Sequence, residues 1–178
     1  MSEEKFLLSY AQVHTLVKKT ATHILEDFKP DVILAIGGGG FIPARLARTF
    51  LSIPILAVGL ELYDDTTNLP KDRPIKTQWF DETSGVGKRV RGKRVLVVDE
   101  VDDTRTTLQF CVEELAHHEP ADVGVLVLIN KRKEKRGVLD EKIRYYAAQE
   151  IADRWCVFPW DAQDIETHER LAVERGGK

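Results

Sequence analysis

Apolar side chains recur every three or four positions at Val13, Leu16, Val17, Ala21, Ile24, Leu25 and Phe28, and the pattern stops at Lys29-Pro30. That spacing predicts an amphipathic helix, ended by a proline that has no N–H to donate and cannot fit the next turn. Asp31 to Ile36 then forms a short, almost wholly apolar run that halts in the glycines Gly37 to Gly40. Such a run predicts a strand buried on both faces. The rhythm continues with a helix over Ile42 to Leu51, strands over Ile55 to Leu62 and Arg94 to Val98, a helix from Thr107 to His118, a strand over Val123 to Ile129 and a last helix from Ala162 to Arg175. Strands alternating with helices predict an α/β fold, a parallel sheet flanked by helices.

Two stretches break the rhythm. Between Tyr63 and Lys93 lie Asp64-Asp65-Thr66-Thr67-Asn68, two prolines and Gly85, Gly87 and Gly92. A segment this long inside a compact domain predicts a flexible lid, about residues 64–92. The second is the basic run Lys131 to Arg136, which predicts a solvated loop after a strand.

Composition narrows the class. A chain of 178 residues with 43% hydrophobic and 31% charged positions suits one globular domain and excludes disordered and fibrous architectures. The formal net charge of −3 supplies no field to draw the protein onto nucleic acid or an anionic membrane, so any anion must be held locally. Cys111 and Cys156 form no CxxC pair, which argues against a disulfide framework or a zinc module and for a reducing, cytoplasmic setting. An acidic start at Glu3 and Glu4 predicts no signal peptide, and no apolar run approaches the ~20 residues of a membrane span.

The strongest chemical signal is the stretch from Val95 to Leu108, in which four apolar residues are followed by Asp99-Glu100-Val101-Asp102-Asp103-Thr104-Arg105-Thr106-Thr107. Carboxylates at the C-terminal end of a parallel strand face the crevice where ligands bind, and they can accept from sugar hydroxyls or hold Mg²⁺. The unpaired N–H groups and hydroxyls that open the next helix suit a phosphate monoester. Gly37 to Gly40 serve either a tight turn or the close approach of backbone N–H groups to a pyrophosphate.

This stretch resembles the phosphoribosyl pyrophosphate (PRPP) motif of type I phosphoribosyltransferases. Together with Ile36 to Arg45 and Asp153 to Asp161, it is similar to the purine enzymes of fungal hypoxanthine-guanine and xanthine type, in the same order from about Tyr10 to Gly176. The resemblance implies one domain over residues 1–178, with a core at about 10–149 and a small C-terminal hood at about 150–161 before the last helix. It implies transfer of the phosphoribosyl group from PRPP to a 6-oxopurine, giving a nucleoside monophosphate and pyrophosphate, with Mg²⁺ as cofactor. By the same resemblance Asp99 and Glu100 hold the ribose hydroxyls, and Asp103 is the general base for the purine. Asp103, Thr104, Arg105, Thr106 and Thr107 cradle the 5′-phosphate, and Gly37, Gly38 and Gly39 meet the pyrophosphate. Lys131, Trp155 and Cys156 contact the purine, and Asp99, Glu100 and Asp161 serve the metal.

Lysine offers only donors, so Lys131 would favour a 6-oxo over a 6-amino purine. Trp155 offers a flat face for stacking, against the plainer reading of a core tryptophan. Asp161 is either a metal carboxylate or the N-cap of the last helix. Arg105 replaces a glycine common in the family, and its side chain either points to solvent or adds charge to the phosphate site. The glycine loop lacks the basic residue of many relatives, with Arg45 or a lid residue as the substitute. Lys76-Thr77-Gln78-Trp79 resembles the strand of the family's closing loop. Members are usually dimers or tetramers, with the region after the glycine loop at the interface, so a homodimer or homotetramer is expected.

A preference for xanthine stays open, and a non-catalytic sensor of PRPP or nucleotide is the competing class. Cys111 reads as helix core. His14, His23, His117, His118 and His168 show no ligand spacing, which predicts surface or helix-end roles.

Overall fold

A capping box opens the first helix: the Gln12 N–H donates to Ser9 Oγ at 3.1 Å, and the Ser9 N–H donates to Gln12 Oε1 at 2.7 Å. The computed structural model describes residues 5–63, 70–81 and 85–175. In chain order the elements are β1 (Phe6–Leu7), α1 (Tyr10–Asp27), β2 (Val32–Gly37), α2 (Phe41–Leu51), β3 (Ile55–Tyr63), β4 (Pro70–Gln78), β5 (Arg94–Asp102), α3 (Thr106–Ala116), β6 (Asp122–Arg132), β7 (Arg144–Ala152), β8 (Cys156–Val157) and α4 (Ile165–Arg175). Short 3₁₀ turns cover Gly87–Arg89 and Pro159–Asp161.

Six strands form one sheet in the order β4-β3-β2-β5-β6-β7, parallel throughout except for β4, which runs antiparallel on the edge. Alternate side chains of the central strands feed two cores. Ile33, Ala35, Leu96, Val98, Leu126 and Leu128 pack under α1 and α2. Val32, Leu34, Val95, Val97, Val125 and Val127 pack on the opposite face, with Leu108, Cys111 and Leu115 of α3. Cys111 is thus the core residue its sequence neighbours predict. Both faces of the sheet are covered, which is why these strands read as unbroken apolar runs.

Several expectations need correction. The segment expected as a flexible lid contributes the nine-residue strand β4, which includes Lys76, Thr77 and Gln78 of the stretch resembling the family's closing-loop strand but whose polar sequence otherwise carries little β signal. Its acidic stretch 64–69 and residues 82–84 lie outside the described residues. Strand β6 continues through Lys131 and Arg132. Strand β7, which no apolar run predicts, enters the region expected as the hood. The hood also includes the N-terminus: β1 pairs in parallel with β8, Phe6 opposite Cys156 and Leu7 opposite Val157. His168 of α4 reaches back to the Leu8 carbonyl with its Nε2 at 2.8 Å. Among the described residues, no helix is long and apolar enough to cross a membrane.

Candidate functional site

Beyond Val98, β5 leaves the core and carries its acids to the C-terminal edge of the sheet. Asp99 accepts a hydrogen bond from the Glu100 N–H at 2.8 Å, and burial pushes its pKa up to about 7. Glu100 accepts from Trp160 Nε1 at 3.0 Å. Burial raises the Glu100 pKa, the indole hydrogen bond opposes the rise, and the neighbouring Asp161 charge adds to it. The Trp160 ring lies flat on Phe158, with centroids 4.7 Å apart and planes 4° from parallel.

The glycine loop closes on the same carboxylate. A Cβ at Gly39 would stand 2.2 Å from the carboxyl carbon of Glu100, and one at Gly40 would stand 2.4 Å from the Val98 carbonyl oxygen. Gly38 instead faces open space, and the Gly37–Gly38 peptide is cis. Arg45 does not supply the loop's missing charge, because its guanidinium turns along α2 to donate to Thr49 at 3.2 Å.

Between β5 and α3, residues 102–107 line a cavity of about 140 Å³. Thr104 and Thr106 share a hydroxyl hydrogen bond at 3.0 Å, and Arg105 takes the left-handed conformation with φ 66°. Neither expectation for the Arg105 side chain is met. Its guanidinium donates through Nε to Asp102 at 2.9 Å and lies 4.8 Å above the Tyr145 ring, so its charge is paired with a buried carboxylate. Asp102 is fully buried and also accepts from the Tyr145 hydroxyl at 2.7 Å.

A larger cleft of about 640 Å³ adjoins it, lined by Glu100, Asp103, Lys131, Trp155, Cys156 and Asp161 among others. Asp103 borders both spaces. Its Oδ1 is 3.3 Å from Lys131 Nζ and 3.0 Å from Lys133 Nζ. Burial alone would raise the Asp103 pKa, but the two ammonium groups outweigh it and hold the carboxyl below the usual carboxylate range. Asp153 completes the cluster, 2.9 Å from Lys133 and 3.7 Å from Lys131.

The reading of Lys131 to Arg136 as a solvated loop is therefore corrected. Residues 131, 133 and 135 are half-buried while 132, 134 and 136 are exposed, so the two-residue period of β6 persists past its end. That alternation was visible in the sequence, where lysine occupies every second position.

Trp155 is 64% exposed with one face on the cleft, which removes the core-tryptophan alternative. Burial pushes the Cys156 thiol up to about 11, so it is not a thiolate at neutral pH. Asp161 is not the helix cap. That place belongs to Asp164, which accepts from the Thr167 N–H at 3.0 Å, while Asp161 sits in the preceding 3₁₀ turn on the cleft wall.

Two histidines are buried rather than at the surface, His118 at the helix end expected for it and His168 within the first turns of α4. His168 is buried on Leu8, and His118 is buried where it accepts from Trp79 Nε1 at 3.0 Å. Trp160, Lys133 and Asp153 were not singled out from the sequence as site residues. Asp153 and Trp160 lie within the stretch Asp153 to Asp161 that carries the resemblance, and Lys133 within the alternating lysines, which were the available signals.

The model of the phosphoribosyl transferase domain matches residues 9–164 of this chain. The chain belongs to the phosphoribosyl transferase domain family. Within that family it is 41% identical to hypoxanthine-guanine phosphoribosyltransferase of Schizosaccharomyces pombe, over 99% of this chain and 98% of that one. It is likewise 41% identical to xanthine phosphoribosyltransferase 1 of Saccharomyces cerevisiae, over 97% of each. Among solved structures, a Neisseria gonorrhoeae protein with bound ppGpp is 43% identical, with TM-score 0.87 and coverage of 98% of this chain and 99% of that one.

Proposed function

We propose that this phosphoribosyltransferase moves the 5-phosphoribosyl group from PRPP to the nitrogen of a 6-oxopurine, hypoxanthine or guanine, in purine salvage. The observation that carries the reading is an exposed indole, a lysine and a carboxylate in one cleft, joined through Asp103 to a small cavity lined by residues 102–107. The bond from the anomeric carbon to pyrophosphate breaks, the bond from that carbon to the purine nitrogen forms, and the purine's proton passes to Asp103. Positive charge develops on the ribose, so the residues position the partners and exclude water rather than react covalently.

Residues 103–107 hold the 5′-phosphate, Asp99 and Glu100 the ribose hydroxyls, and Gly37, Gly38 and Gly39 the pyrophosphate. Trp155 stacks on the base and Cys156 borders it. Lys131 donates to the 6-oxo group. The ppGpp bound to the Neisseria relative carries a guanine, which is a 6-oxopurine, and this supports the same preference here.

The residues present fit a divalent cation. Among the described residues no Lys or Arg pairs with Asp99, Glu100 or Asp161, and the Glu100 carboxyl feels the Asp161 charge across the cleft. No group of three or more protein ligands occurs among the described residues. One or two carboxylates completed by substrate oxygens is the usual pattern for Mg²⁺. When bound, Mg²⁺ would neutralise the leaving pyrophosphate, with Glu100, Asp161 and Asp99 as its holders.

The deciding experiment is PRPP- and Mg²⁺-dependent consumption of hypoxanthine, guanine, xanthine and adenine, assayed side by side. Turnover of the 6-oxopurines without adenine is expected. Turnover of none, with PRPP still bound, would make the protein a sensor. Xanthine is the second reading, favoured by the equal identity to the Saccharomyces xanthine enzyme, and the same assay ranks it.

A homodimer or homotetramer with α2 at the interface is the assembly the resemblance implies, and the half-exposed Phe41 at the start of that helix supports it. Sedimentation velocity is expected to show a species of two or four times the chain mass, and monomer alone would reverse this. A cytoplasmic location accords with two free thiols.

The lysine beside the base yields a pH prediction. The Lys133 hydrogen bond is the foremost influence lowering the Asp103 pKa, so Lys133→Met is expected to raise it. The working form of a general base is unprotonated, so the acid limb of the kcat/KM profile should move to higher pH. An unmoved limb would detach Lys133 from Asp103.

A further inference from the structure

We propose that Lys135 is a positioning residue that turns the backbone N–H groups of the anion loop toward the phosphate, an inference that rests on residues 103–107 being the 5′-phosphate site. Lys135 lies in the basic run, outside both cavities, with its side chain only 15% exposed. Its ammonium donates to three backbone carbonyls, those of Asp102 at 2.7 Å, Asp103 at 2.9 Å and Lys131 at 2.9 Å. Three N–H bonds on three acceptors is the full capacity of a lysine.

The next two residues continue the attachment. The N–H groups of Arg136 and Gly137 both donate to the Thr104 carbonyl at 3.0 Å. A Cβ at Gly137 would stand 2.4 Å from the Arg105 carbonyl oxygen, so glycine is what lets the segment come this close.

The consequence follows from peptide geometry. In a planar trans peptide the carbonyl of one residue and the N–H of the next point in opposite directions. Holding the carbonyls of residues 102, 103 and 104 against residues 135–137 therefore turns the N–H groups of Asp103, Thr104 and Arg105 the other way, toward the cavity. The cation is also placed behind the loop, where its field favours an anion in front. Asp102 offsets one positive charge there. With Arg105 and Lys135 both beside it, one positive charge remains on the buried side. A loop fixed in this way presents donors that need no rearrangement when the phosphate arrives.

The third bond, to the Lys131 carbonyl, fixes the ammonium to the backbone of β6. The Lys131 side chain, assigned to the 6-oxo group, is held separately by Asp103 at 3.3 Å and Asp153 at 3.7 Å, so loss of Lys135 leaves the base contact in place.

The test is Lys135→Met, which keeps the length of the stem and removes the charge and donors. Steady-state kinetics should show KM for PRPP rising by about tenfold or more, the expected scale for losing charge-assisted hydrogen bonds, with kcat and KM for the purine within about twofold. Calorimetric affinity for ribose 5-phosphate should fall by the same factor, because that probe carries the phosphate without pyrophosphate or base.

If Lys135→Met does not fold, Gly137→Ala attacks the same loop from its other attachment and should show the same selective rise in KM for PRPP. Equal loss in kcat and both KM values, or unchanged affinity for ribose 5-phosphate, would overturn the assignment. Should the wild-type enzyme turn over no purine yet bind ribose 5-phosphate in a Lys135-dependent way, the assigned reaction would fall while the brace would stand. Should the wild type not bind ribose 5-phosphate, the phosphate site and its brace would fall together.

Discussion

Turnover in the Asp103→Asn enzyme is expected to fall by about two to four orders of magnitude, the range that a positioned general base contributes, while KM for PRPP stays within a few-fold. The asymmetry comes from what asparagine keeps and what it lacks. Its side-chain carbonyl can still accept from Lys133 at 3.0 Å and from Lys131 at 3.3 Å, so the cluster keeps its shape. The backbone N–H of residue 103 is unchanged, and its carbonyl remains on Lys135. Only the capacity to take a proton is gone. Rates at saturating PRPP and purine, with PRPP affinity measured separately, check the split. Unchanged turnover would mean that the purine loses its proton elsewhere.

Gly39→Ala should be comparably damaging for a steric reason. The new methyl would lie 2.2 to 2.5 Å from the carboxyl end of Glu100, far inside contact distance. The glycine loop cannot retreat, because Gly40 already packs against the carbonyls of Val98 and Ile36. Glu100 must move instead, and it is held from the other side by Trp160. A displacement on the order of 1 Å at a group that orients substrate can cost about a hundredfold, so kcat/KM for PRPP is expected to fall at least that far. Thermal unfolding measured in parallel should change little, since the carboxylate lies on the cleft wall rather than in either core. A lowered melting point with activity intact would show that the methyl is accommodated by the fold and not by Glu100.

The central strands and the helices flanking them were legible because burial on both faces writes itself as continuous apolar runs, and because proline and glycine punctuate the ends. The acids of β5 were legible for a related reason: the change from Val98 to Asp99 marks where the strand leaves the core. Elements at the margins were not. Strands β4 and β7 are the sheet's two edges, and polar residues at their less buried positions dilute the pattern. Strands β1 and β8 have only two residues each and exist through a pairing of Phe6 with Cys156 that no local window contains.

The same distinction runs through the site. Asp103 and Lys131 carry motifs, whereas Asp153 and Trp160 matter through partners far along the chain. Arg105 shows the limit most clearly. Its charge suggested an anion contact, but buried Asp102 and Tyr145 lie within reach and take the guanidinium.

The order of strands has a metric consequence. Strands β2, β5 and β6 are adjacent, and near their C-terminal ends stand the glycine loop, Asp99 with Glu100, and Lys131 respectively. Neighbouring strands stand about 4.8 Å apart, so pyrophosphate, ribose and purine would lie across roughly 10 Å of sheet edge in the sequence in which they are bonded or become bonded. With those assignments, the hydrogen-bond ladder that holds the strands together would also be a ruler, setting the separation between the group that leaves and the group that arrives.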